Sequence, residues 1–96
     1  MGNVRVLKFP VSGYGTEQTF RCKRSRLLDI QAQGGQLVCW VETRDEFPES
    51  EVALISVGTG WEVPSDVLAG YVYFKTVQDC CGLVWHFYEK RLISCK

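Results

Sequence analysis

The feature that most constrains this chain is an apolar pattern of period two, with no stretch of helical spacing long enough to carry a crossover helix. Residues 4–9 read Val-Arg-Val-Leu-Lys-Phe, a first strand that Pro10 ends. Ser12, Gly13, Tyr14 and Gly15 read as a turn, and residues 18–22 as the returning strand. Leu28, Ile30 and Ala32 then alternate with Asp29, Gln31 and Gln33. Gly34-Gly35 follows, a two-residue turn of the kind that joins antiparallel strands. Residues 37–41, Leu-Val-Cys-Trp-Val, are apolar on both faces and so predict a covered, central strand.

The second half repeats the pattern. Residues 45–51 form an acidic loop around Pro48, and residues 52–57 an apolar strand closed by Gly58-Thr59-Gly60. Residues 64–70 predict one or two helical turns, with Ser65 as N-cap and Gly70 as stop. Strands are expected at 71–77 and 83–88, joined by the turn Asp79-Cys80-Cys81-Gly82, and residues 92–96 form a short tail. The expected fold is therefore mainly β: about seven mostly antiparallel strands in a compact sandwich or partly open barrel, with one short helix near 64–70. A single twisted sheet with the helical turn on one face is the alternative. Residues 1–96 are expected to form a single domain.

Composition narrows the function. Eleven basic and eleven acidic residues give a formal net charge of zero, so nucleic acid is not an expected partner. The zero hides a split. Arg5, Lys8, Arg21, Lys23, Arg24 and Arg26 face Glu17 alone in residues 1–26, whereas Glu42, Asp45, Glu46, Glu49 and Glu51 face Arg44 in residues 42–51. Two opposed poles suit contact with another protein or head-to-tail self-association, although solvated loops would look the same. The charged start lacks the apolar core of a signal peptide, and no apolar run approaches the ~20 residues of a membrane span. Five cysteines (Cys22, Cys39, Cys80, Cys81, Cys95) include no CxxC pair, which fits free thiols in a reducing cytoplasm and no zinc site. Cys39, inside an apolar run, reads as a small core residue.

Several residues invite chemistry. Gly58-Thr59-Gly60 precedes a short helix and could bring backbone amides to an anion, but it lacks a third glycine and a Walker lysine. His86 is the only histidine, on the strand face opposite Trp85, with no partner nucleophile or carboxylate evident in sequence. Cys80-Cys81 could react if exposed at the turn, but no base lies beside the pair, and a structural or incidental role is the stronger reading. Trp61, in a loop after the glycines, suits either packing over a core edge or partner binding. Arg21, Lys23, Arg24 and Arg26 form a basic run able to hold phosphates or an acidic partner, or simply a soluble turn.

Residues 8–10 (Lys-Phe-Pro), residues 30–40, Val57-Gly58-Thr59-Gly60 with Pro64, Thr76-Val77 and residues 82–89 together resemble, in order and spacing, a phage-associated family of small domains without assigned function. That family occurs in tailed-phage and prophage proteins. Such sequences often place a glycine before the Thr-Val pair, where this chain has Lys75. The Arg-rich hairpin and the tail after Glu89 look particular to this chain. The resemblance lends no catalytic residues. It implies a viral protein working in a bacterial cytoplasm, of a class that often binds and blocks host machinery, immune systems included.

The expectation is a non-enzymatic binding protein without cofactor or metal. A host protein is its expected partner and an inhibitory action on a bacterial defence system the expected role. Capture of a small nucleotide signal and a structural or assembly role are the alternatives, and a homo-oligomer is compatible with each. The candidate binding residues are Arg21, Lys23, Arg24, Arg26, Gly58, Thr59, Gly60, Trp61 and His86.

Overall fold

The computed structural model describes residues 2–12, 15 and 17–91. Seven strands form: β1 (Val4–Val11), β2 (Gln18–Cys22), β3 (Arg24–Gln33), β4 (Gln36–Arg44), β5 (Ser50–Gly58), β6 (Tyr71–Gln78) and β7 (Val84–Lys90). Every pairing is antiparallel. They make a three-stranded sheet, β1-β4-β3, and a four-stranded sheet, β2-β5-β7-β6, without closing into a barrel. Two sheets rule out the single twisted sheet.

The two most apolar strands, β4 and β5, take interior positions, one in each sheet. This follows from their composition, since a strand apolar on both faces loses least where both are covered. Gln33 pairs with Gln36 across Gly34 and Gly35, whose φ values of 59° and 81° are those of a two-residue turn that twists with the strands.

Alternation sends one face of each sheet inward. Leu27, Ile30, Leu37, Cys39 and Val41 come from the three-stranded sheet; Val52, Leu54, Val77, Trp85 and Phe87 come from the other. Phe87, Ile30, Leu54, Val41 and Val52 are fully buried, each worth roughly 1.5–3 kcal/mol in apolar burial. Cys39 is also fully buried, and loss of hydration pushes its thiol up to about 11. Phe9 stacks on Phe20 at 4.7 Å, joining the β1 and β2 edges. Two ion pairs clip the sheets together: Arg24 on β3 to Glu89 on β7, and Lys75 on β6 to Asp29 on β3 at 2.5 Å.

Two expectations are corrected. The short helix expected near 64–70 is present as a single 3-10 turn, Ser65–Leu68, but Ser65 lies inside it rather than capping it. Pro64 takes the cap position without a side-chain hydrogen bond, because proline fixes φ where the turn begins. The basic run is also no simple turn. β2 ends at Cys22 and β3 begins at Arg24, and both of these residues are buried. The tail at 92–96, Gly13 and Tyr14 lie outside the described residues.

Candidate functional site

His86 projects from the outer face of β7, while Trp85 and Phe87 point into the core. Alternation requires this, and the neighbours that complete the site come from β5 and β6. His86 pairs in register with Thr76 on β6 and with Val57 on β5, one residue before Gly58-Thr59. Thr59 Oγ1 lies 2.8 Å from His86 Nε2, and Thr76 Oγ1 lies 2.9 Å from Nδ1. The Tyr73 hydroxyl extends the chain, 2.8 Å from Thr76 Oγ1, and its ring meets Tyr88 edge to face at 5.8 Å. A neutral imidazole has one donor and one acceptor, and hydroxyls supply either role, so the ring is satisfied on both sides. Among the described contacts no carboxylate orients it, which is what a general base of the triad type requires.

A β-bulge builds this cluster. Tyr73 faces Tyr88 and Thr76 faces His86, with one extra residue between Tyr73 and Lys75. The bulge reverses the alternation, so Tyr73 and Thr76 share the outer face while Val77 turns inward with Trp85. Strict period-two reading would have put Tyr73 and Thr76 on opposite faces.

Trp61 stands at the end of the same sheet. A β-turn after β5 brings it back, with the Trp61 N–H donating to Gly58 O at 3.1 Å. Its ring lies on two residues without side chains. A Cβ on Gly58 would sit 2.7 Å from Trp61 Cε2 and Nε1, and one on Gly15 would sit 2.9 Å from Cζ3. The ring also meets Trp85 edge-on at 5.3 Å and 84°. Despite these contacts Trp61 remains 47% exposed. A groove of about 250 Å³ runs beside it, lined by Gly58, Thr59, Leu83 and Trp85 among others.

Gly58 thus serves the tryptophan. The Thr59 N–H donates to Val84 O at 3.3 Å and the Trp61 N–H to Gly58 O, so neither amide is directed at an anion. Gly60, with φ of 85° and open space around it, provides the left-handed corner of the turn. Gly58, Thr59, Trp61 and His86 adjoin one another through these contacts.

The basic residues are placed differently. Arg21 reaches Glu49 at 3.8 Å, Arg26 reaches Glu42 at 3.8 Å, and Arg5 contacts Asp45 at 3.0 Å. The two poles of the sequence therefore fold against each other, in pairs whose arginines are all exposed to solvent and screened by it. Lys23 is exposed. Arg24 departs from the rest of the basic run: it is buried against Glu89, and its Nε and Nη1 have no hydrogen-bond partner.

Asp79 had no assigned role in sequence. Its carboxylate accepts the N–H groups of Cys81 at 2.9 Å and Leu83 at 3.0 Å, and the Trp85 indole N–H at 2.9 Å. The indole bond, with the backbone bonds, holds the carboxyl below its usual range. Its spacing to Gly82 was a visible signal: Asp at the first and Gly at the fourth position favour a type I turn, and Gly82 N–H donates to Asp79 O at 3.1 Å. Contact with Trp85 carried no such signal.

Among the described residues no group of three or more His, Cys, Asp or Glu side chains converges as a metal site, and no helix is long and apolar enough to cross a membrane. The architecture defines a small antiparallel β-sandwich with an aromatic and hydroxyl-bearing face. The chain belongs to the family described as a domain of unknown function (DUF7352), whose model matches residues 3–93. No curated protein and no solved structure matches it.

Proposed function

We propose that this domain is a non-catalytic protein-binding module whose recognition surface centres on Trp61 and extends over Thr59 and His86. The observation that carries the reading is that Trp61 is packed on Gly58, Gly15 and Trp85 yet stays nearly half exposed. A large ring held in place before binding contributes contact area with little loss of freedom, which is the character of an interface anchor. Leu83, 55% exposed, lines the groove beside it and adds an apolar neighbour, while Thr59 supplies a polar rim. His86 bonded between two threonine hydroxyls suits recognition better than proton transfer.

The finer reading is a phage-encoded protein that binds host machinery in a bacterial cytoplasm, a defence complex being the foremost target. It rests on the resemblance of the sequence to phage-associated domains. Nucleotide capture is less well supported, because the amides of Thr59 and Trp61 are already bonded within the turn.

Affinity capture from bacterial lysate with the wild-type chain, Trp61→Ala, and a triple reversal of Arg21, Lys23 and Arg26 to Glu tests the surface. Loss of about 2 kcal/mol, or roughly 30-fold in affinity, is expected for Trp61→Ala. Retention of the partner by Trp61→Ala with loss in the triple variant would move the site to the basic strand. A thermal-shift panel of nucleotides should stay flat; a ligand present at about 100 times its Kd would add roughly 2.7 kcal/mol.

A further inference from the structure

Cys80 and Cys81 occupy the exposed tip of the β6–β7 hairpin, away from His86. Their Sγ atoms lie 3.8 Å apart. The turn that carries them is fixed on both sides. Asp79 accepts the amides of Cys81 and Leu83, and Gly82, at φ of 84°, closes the corner. Cys80 Sγ also approaches Gly35 O, at 3.8 Å, on the tip of the β3–β4 hairpin. The two tips enclose a groove of about 360 Å³ with Val11, Leu37 and Leu83 in its walls. Both thiols stand at its edge. By contrast Cys22 and Cys39 are buried in the core.

We propose that Cys80 and Cys81 form a reactive vicinal dithiol, a modification site that low-molecular-weight disulfides oxidise to an intramolecular disulfide. One thiolate attacks the small disulfide, forms a mixed disulfide and releases the first small thiol. The neighbouring cysteine, already within 3.8 Å, then attacks the protein sulfur of that bond. The second small thiol leaves and takes up the proton. The protein loses two electrons and two protons, and the small disulfide becomes two thiols. Exposure admits the reagent, and the 3.8 Å separation puts the second sulfur within reach of the mixed disulfide. Because the pair borders the groove, closing the ring also reshapes the wall between the hairpin tips.

The test uses the full chain carrying Cys95→Ser, incubated with oxidised glutathione and digested with trypsin. Peptide 76–90 holds both cysteines. It should lose two hydrogens without retaining glutathione, and regain them with dithiothreitol. Cys81→Ser in the same background should instead keep one glutathione on Cys80. A wild-type peptide that stays reduced, keeps glutathione, or links to Cys22, Cys39 or another chain overturns the proposal. Phenylarsine oxide gives an independent reading on the reduced chain. Bridging of both sulfurs by one arsenic, with release of water, is expected, and absence of that adduct also overturns it.

Discussion

The Asp79 carboxylate accepts the Trp85 indole N–H at 2.9 Å, tying the β6–β7 turn to a side chain of the core. Asp79 titrates below its usual range, because the indole and two amides favour the charged form. The sign follows. A carboxyl with a depressed folded pKa contributes stability that is present above its unfolded value, near 3.9, and lost as pH falls through the folded value. Asp29 acts in the same direction: burial raises its pKa, but bonds from Lys75, Gln31 and the Ile30 amide outweigh that and lower it. Unfolding free energy should therefore change little on going from pH 7 to about pH 5 and fall below about pH 4. Asp79→Asn, which keeps an acceptor oxygen, should flatten part of that fall. Asp79→Ala should shift tryptophan emission at neutral pH as Trp85 loses its partner. Unchanged emission in Asp79→Ala would show that the bond does not hold the ring.

The seat under Trp61 yields a coupling prediction. Gly58→Ala places a methyl 2.7 Å from the indole, so the ring must move or the strand must bend. Overpacking of this kind costs about 1–3 kcal/mol. In a Trp61→Ala background the three ring atoms nearest that methyl are gone, and most of the cost should disappear. Urea unfolding of the two single variants and the double variant measures the interaction directly. Additive losses would mean that Gly58 is needed for its backbone and not for the tryptophan.

Phe87 tests the core. It is fully buried on β7, and its neighbours in register, Ser56 on β5 and Lys75 on β6, lie one on each side. Phe87→Ala should cost about 3–5 kcal/mol, against a total stability of roughly 5–15 kcal/mol for a domain of this size. Phe87→Leu should cost much less. Calorimetric melting of both variants separates them, and a loss below about 1 kcal/mol for Phe87→Ala would contradict the position assigned to it.

Strand content was legible because alternation and glycine turns are local. Leu28 to Gln33, Gly34-Gly35 and the apolar run at 37–41 needed no distant partner to be read as a hairpin. What escaped was set by irregularity or by contact across the fold. One extra residue between Tyr73 and Lys75 decides that Tyr73 and Thr76 share a face, and hence that His86 has a hydroxyl on each ring nitrogen. Trp61 was recognised as a loop aromatic, but the use of Gly58 and Gly15 as its seat depends on the return of the turn after β5. Charges misled most. Arg21, Arg26 and Arg5 read as one pole, yet their carboxylate partners Glu49, Glu42 and Asp45 are brought to them only by strand pairing.

Arg24 is the sharpest of these cases, and its energetics can be tested. The guanidinium is buried against Glu89, whose side chain is itself only 20% exposed, and two of its nitrogens lack hydrogen-bond partners. Desolvation of such a pair offsets much of its attraction, whereas removal of one member strands the other. Glu89→Ala should therefore cost about 3–5 kcal/mol, because it leaves a buried cation alone. The double variant Arg24→Met, Glu89→Leu should recover most of that loss, since apolar groups of similar volume need no partners. Denaturant midpoints at constant slope decide between the outcomes. If the double variant were as unstable as Glu89→Ala, the pair would be a net source of stability rather than a clip between β3 and β7 whose charges largely cancel their own cost.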